Sequence, residues 1–159
     1  MVSASLDMLE DSLKKKIDIM KLIELENEKQ RDLLKNSDEV DGASFDDILD
    51  TKGDYIEQLI SLDDGFQSLF DRVKKEVGDH KDQYAEQIKR MQELIVEITG
   101  LSASIEAAER RNKKLAEEYF SRARQKMNYS RQTSAAAFNY YQTMNNFKNV
   151  PPQFIDDKN

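Results

Sequence analysis

Ten positions between residues 45 and 77 constrain this chain more than any others. Phe45, Leu49, Lys52, Ile56, Leu59, Asp63, Phe66, Phe70, Val73 and Val77 follow one another at alternating steps of four and three, and all but Lys52 and Asp63 are apolar. A 3.5-residue repeat places its members on one stripe of an α-helix, as in a coiled-coil seam. Such a stripe has to be buried against other helices. Gly53 and Gly65 lie inside the run, each costing a helix up to ~1 kcal/mol relative to Ala.

Two further periodic runs supply the partners. Leu6, Leu9, Leu13, Ile17, Met20 and Ile23 share one helical side, and Leu34 rejoins it after a polar gap at Asn27 and Gln30. Glu10–Lys14 and Asp11–Lys15 add i,i+4 pairs in the favourable order. Residues 36–43, with Asn, Ser, three acids and Gly42, have turn chemistry, and Ser44 offers a capping hydroxyl with Asp47 three residues on. After Gly78-Asp79-His80 a third seam runs through Tyr84, Ile88, Met91, Ile95, Ile98, Ser102 and Ile105, extended by Ala108, Leu115 and Tyr119. No breaker falls between Leu101 and Gln132.

The expected fold is therefore all-α. It is an antiparallel three-helix bundle over residues 1–130, with helices near 5–35, 45–77 and 81–130. The first two would be ~45–50 Å long and the third ~70 Å, so the third overhangs by roughly 20 Å. Residues 131–159 form a flexible or partner-ordered tail. Within it Ala137, Tyr140, Tyr141, Met144 and Phe147 mark one face of a short amphipathic helix, stopped by Pro151-Pro152.

Composition narrows the function classes. With no Cys and only His80, zinc, iron–sulfur, disulfide and thiol chemistry have no ligand set, and no cofactor is expected. There is no Gly-rich phosphate loop and no Ser/His or Cys/His arrangement, so enzyme chemistry is not expected. Reading Gly42 as the sixth residue of a calcium loop puts Ile48 where the bidentate Glu belongs, and that match fails. The longest apolar run is Ala135–Phe138, too short to span a bilayer. The first eleven residues lack the basic and apolar stretches of a signal peptide, so a cytoplasmic location is expected.

Charge and aromatics are both uneven. Residues 1–108 carry a net charge of −12 and residues 109–159 a net +5. Arg110, Arg111, Lys113 and Lys114 open the basic part and are read as steering groups for an acidic strip on a partner. RNA fits less well, because the chain as a whole is acidic and Glu109–Lys113 and Glu118–Arg122 look like a solvated helix face. Eight of the thirteen Phe and Tyr residues lie after residue 118. Leu115, Tyr119, Phe120, Met127, Tyr129, Phe138, Tyr140, Tyr141, Met144, Phe147 and Phe154 are therefore the candidate partner-binding residues. Leu115, Tyr119, Met127, Tyr140, Tyr141, Met144 and Phe147 would form an apolar stripe left unsatisfied in the free protein. The competing reading is a helical scaffold that homo-oligomerises through the third helix and the tail.

Several stretches together resemble a known family. They are Leu6-x₂-Leu9-x₃-Leu13, the run Leu22 to Gln30, Leu49-x₂-Lys52, Leu59-Ile60-x-Leu62-Asp63, Phe66-x₃-Phe70, Phe138-Asn139-Tyr140-Tyr141 and the closing Phe154-Ile155-Asp156-Asp157-Lys158. In this order they are similar to bacterial flagellar export chaperones of the FlgN type, in their Gram-positive version. The resemblance implies a chaperone for hook–filament junction proteins that prevents their early assembly and delivers them to the flagellar type III export gate. It also implies that the C-terminal region binds the substrate and that a C-terminal aromatic docks on the cytoplasmic domain of the gate. Tyr140 or Tyr141 is the first choice for that aromatic and Tyr129 the second.

Overall fold

In the computed structural model, residues 4–36, 40–125 and 137–144 are described, and every regular element among them is helical. Helix α1 spans Ala4–Asn36, α2 Gly42–Asp64, α3 Phe66–Val77 and α4 Ala85–Gln125, with one 3₁₀ turn at Lys81–Tyr84. Residues 137–144 add a short helical segment. The architecture is all-α with four packed helices, α1 carrying the others.

Side-chain pairs give the directions. Lys16 meets Asp63 and Gln30 meets Lys52, so α2 runs back along α1. Glu10 meets Arg90 and Asn112 meets Gln30, so α4 runs parallel to α1, with partners 80 and 82 residues apart. The path is up, down, up.

The apolar periodicities predict the core closely. Leu6, Leu9, Leu13, Ile17, Met20, Ile23 and Leu34 of α1 are buried, as are Phe45, Leu49, Ile56 and Leu59 of α2. On α4, Met91, Ile98 and Ile105 are buried, while Ile88 and Ile95 are half-buried. The two charged exceptions in the second seam are also explained. Lys52 is wholly buried, and Asp63 accepts a 2.8 Å hydrogen bond from Lys16.

Four features differ from expectation. The second helix is two helices, because Gly65 is a turn residue between them, with ψ opened to −5° at φ −87°. The buried set after the break is Phe66, Leu69, Val73 and Val77, so Leu69 replaces Phe70 on the seam. Phe70 is half-buried and stacks on Phe66 at 6.0 Å. Helix α2 begins at Gly42, with Asp41 rather than Ser44 as its cap. The Asp41 carboxylate accepts from the Ala43 N–H at 3.2 Å and from the Ser44 hydroxyl at 2.8 Å. The third helix opens with a 3₁₀ turn and becomes α-helical at Ala85. Its expected last residues, 126–130, lie outside the described residues.

The fourth difference concerns the overhang. In the register set by Glu10–Arg90 and Gln30–Asn112, α4 remains level with α1 well beyond residue 112. Phe120 still packs edge-on to Phe45, with ring centroids 5.6 Å apart. The stretch from residue 109 to Phe120 is therefore part of the bundle and does not project beyond it. Gly78 closes α3 with φ +48°, a conformation L side chains rarely adopt, while its N–H bonds to the Lys74 carbonyl.

Candidate functional site

Chemistry concentrates where the polar gap of α1, the lysine of α2 and the middle of α4 come level. Lys52 is 0 % exposed and Glu109 2 %, and the two form an ion pair across α2 and α4. The Lys52 ammonium donates to Gln30 Oε1 at 2.6 Å and to Glu109 Oε2 at 3.2 Å. It also lies 4.3 Å from the centre of the Tyr140 ring. The Tyr140 hydroxyl donates to the Glu109 carboxylate at 2.6–2.7 Å. Asn112 donates its amide to the Asn27 carbonyl at 2.9 Å and to Gln30 Oε1 at 3.3 Å. A polar layer thus crosses an apolar bundle, with the Asn27 and Gln30 amide nitrogens buried in it without a hydrogen-bond partner among the described residues.

Burial shifts the titrations in this layer. Desolvation brings the Lys52 ammonium down to about 8, against the pull of Glu109. Desolvation, followed by the Glu109 charge, pushes the Tyr140 and Tyr141 phenols upward. The lysine and the tyrosine are linked by hydrogen bonds only through the Glu109 carboxylate, to which both donate. Residues 137–144 and three helices close them off, and no substrate reaches them while that segment is seated. The best-attested role of buried polar groups in bundles is to favour one register and one neighbour for each helix, and the Lys52–Glu109 and Gln30–Asn112 contacts are placed to serve it.

The candidate residues fall into three groups. Phe120, Tyr140 and Met144 are buried, and Leu115, Tyr119 and Tyr141 are half-buried against the core. The Tyr119 hydroxyl accepts from the Val40 N–H at 3.2 Å. Among the described residues, Phe138, at 62 % exposure, is the tail aromatic that faces outward. Met127, Tyr129, Phe147 and Phe154 lie outside the described residues. The expected unsatisfied stripe is thus not present among the described residues, because α4 keeps register with α1 and the 137–144 segment folds onto the same core. Arg110, Arg111, Lys113 and Lys114 are all exposed on α4, as steering groups must be, and Arg110 pairs with Glu106 at 2.5 Å. Glu109 is turned inward to Lys52, not along the helix surface to Lys113.

Sequence reading missed Glu109 and Asn112. Continuing the steps of four and three from Ile98 through Ser102 and Ile105 lands on Glu109, Asn112 and Ala116, all buried. Following apolarity instead led to Ala108 and Leu115, one position away. Polar interruptions in three seams were the available signal.

A second feature lies at the other end of the bundle. Helices α3 and α4 diverge there over α1, leaving a groove of about 610 Å³. Leu6 and Leu9 form its floor, Phe70, Val73 and Val77 one wall, and Ile88, Met91, Ile95 and Val96 the other. Among the described residues there is no cluster of acids or His suited to a metal ion, and no helix long and apolar enough to cross a membrane. No family model, curated protein or solved structure matches the chain.

Proposed function

We propose that this protein is a cytoplasmic flagellar export chaperone that binds hook–filament junction proteins, prevents their premature assembly and delivers them to the export gate. The observation carrying this reading is the helical segment 137–144, seated on the bundle through Ala137, Tyr140 and Met144. Eight residues make a helix that is marginal by itself. A cleft that holds so short a helix can also hold an amphipathic helix of a client, and can exchange one for the other without chemistry. The resemblance to FlgN-type chaperones supports the same reading, and its client class consists of helical subunits.

Charge supports it as well. The exposed Arg110, Arg111, Lys113 and Lys114 offer an acidic client a landing strip on an otherwise acidic protein, whose net charge of −7 disfavours nucleic acid. The proposed activity is binding, with no catalysis and no cofactor. Tyr140 and Tyr141 are held inside, so contact with the cytoplasmic domain of the gate through either one follows release of the segment. Phe138 faces outward beforehand. We prefer this reading to the oligomeric scaffold because the α4 seam, as far as Phe120, is engaged within its own chain.

Co-expression with each hook–filament junction subunit of the same bacterium, followed by size-exclusion chromatography, tests the proposal. A stoichiometric complex is expected with one of them, and amide exchange in residues 137–144 should change on binding. No complex with any junction subunit would remove the reading.

A further inference from the structure

The groove at the α3 end lies at the opposite end of the bundle from the seat of residues 137–144. Lys52 lies on the same seam as Val73 and Val77, Glu109 on the same seam as Met91, and α1 floors both ends. At one end the bundle holds a helix that inserts Ala137, Tyr140 and Met144, spaced i, i+3 and i+7. At the other end the groove between α3 and α4 is left open among the described residues. Val96 on its rim is 66 % exposed, although it belongs to the apolar stripe Ile88, Met91, Ile95 and Val96. Both charged side chains lining the groove are cationic, Lys74 and Lys81. Lys74 is held 4.6 Å over the Phe70 ring, on the α3 wall.

We infer that this groove is a docking site for a short amphipathic helix of a partner protein, apolar on one face and bearing carboxylates along its flank. The seated segment 137–144 shows that this bundle accepts a short amphipathic helix through Ala137, Tyr140 and Met144. The two lysines select acidic flanks, and the aliphatic walls select residues at i, i+3, i+4 and i+7 spacing. The inference rests on the chaperone reading only for the partner's identity, which would then be a terminal helix of a junction subunit.

The test uses the full chain and a labelled synthetic peptide of two to three helical turns, with leucines at that spacing and glutamates on the flank. Binding is followed by fluorescence anisotropy. Val96→Glu places a carboxylate on an exposed position of the groove and should weaken the peptide at least tenfold with an unchanged thermal unfolding curve. Lys74→Glu with Lys81→Glu should weaken it similarly, and the same peptide with lysine flanks should recover binding to that variant. A scrambled peptide of equal composition should not bind. Affinity unaffected by Val96→Glu would overturn the inference. So would a wild-type dimer that Val96→Glu converts to monomer, which would make a second copy the occupant. A tenfold gain in peptide affinity in Phe154→Ala/Ile155→Ala would equally overturn it, by assigning the groove to the chain's own C-terminus. A junction-subunit helix that binds wild type and Val96→Glu alike would remove the groove and leave the chaperone reading. Peptide binding that depends on Val96, with no junction subunit bound, would do the reverse.

Discussion

Glu109→Gln puts the electrostatics of the polar layer to the test. The substitution keeps the shape and leaves Tyr140 an acceptor, but removes the charge facing the Lys52 ammonium. At 3.2 Å, with an effective dielectric of about 20, that charge is worth about 5 kcal/mol to the ammonium. The loss of stability should be smaller, because lysine can shed its proton. Desolvation already brings Lys52 from its ordinary 10.5 down to about 8. Without Glu109 the same desolvation takes it below neutrality, and the amine sits uncharged in the core. At pH 7 a neutral Lys52 is about one unit further from its ordinary value than the present value of about 8, a cost of about 1.4 kcal/mol. A Tyr140 hydrogen bond to a neutral acceptor in place of a charged one adds about 1 kcal/mol. Urea unfolding followed by far-UV circular dichroism should therefore show a loss of about 2–3 kcal/mol at pH 7. The pH profile is the sharper readout. A folded-state value below the unfolded one means that the unfolded chain holds the extra proton between the two, so stability rises with pH across that window. For wild type the rise begins near 8; for the variant it should already be under way at pH 7, at about 1.4 kcal/mol per pH unit. Above the ordinary tyrosine value of 10.0 the raised Tyr140 and Tyr141 act in the opposite sense, because they ionise first in the unfolded chain. A variant profile flat from pH 7 to 9, or a neutral-pH loss above about 4 kcal/mol, would mean that Lys52 stays charged without its partner and would refute this reasoning.

Three other perturbations follow from the packing. Phe45→Ala and Phe66→Ala should each cost ~3–5 kcal/mol, whereas half-buried Phe70→Ala should cost about half as much, measured by denaturant midpoints. Removing residues 128–159 takes away Tyr140 and Met144 and uncovers the Lys52–Glu109 pair, so the melting temperature should fall by several degrees; an unchanged value would show that the seated segment contributes nothing. At Gly65 an added Cβ meets nothing within 4 Å, so Gly65→Ala should stabilise the chain by ~0.5–1 kcal/mol and extend the helix across the α2–α3 break; destabilisation would show that the bend itself is needed.

The helices and most of the core were legible because each apolar stripe is regular and the turns at 36–43 and 78–80 carry Gly and acids. The break at Gly65 was visible only as a weak helix former. What turned the glycine into a boundary is the shift of burial from Phe70 to Leu69, which depends on how α3 meets α1. The polar layer was legible in pieces: Lys52 as a seam exception, Asn27 and Gln30 as a gap. That these fall level with Glu109 follows from a helix register that no single segment contains. Segment 137–144 was misjudged because amphipathicity shows that a face must be covered, but not by what. Tyr140 finds its cover in its own bundle.

The parallel register of α1 and α4 also dictates an order of assembly. Contacts between α1 and α2 close loops of 22 and 47 residues, at Gln30–Lys52 and Lys16–Asp63, while those between α1 and α4 close loops of 80 and 82. Loop-closure entropy favours the 22-residue contact over the 80-residue one by about 1 kcal/mol. The α1–α2 hairpin is therefore expected to form first, and on a nascent chain before α4 has been synthesised. In that hairpin Lys52 has Gln30 but not Glu109, and its ammonium stays hydrated. The layer dries only when α4 docks, which makes desolvation of Lys52 a late event. Substitutions at Glu109 and Asn112 should accordingly leave the folding rate nearly untouched and act on the unfolding rate, so that the layer governs how long the folded chain persists more than how fast it is reached.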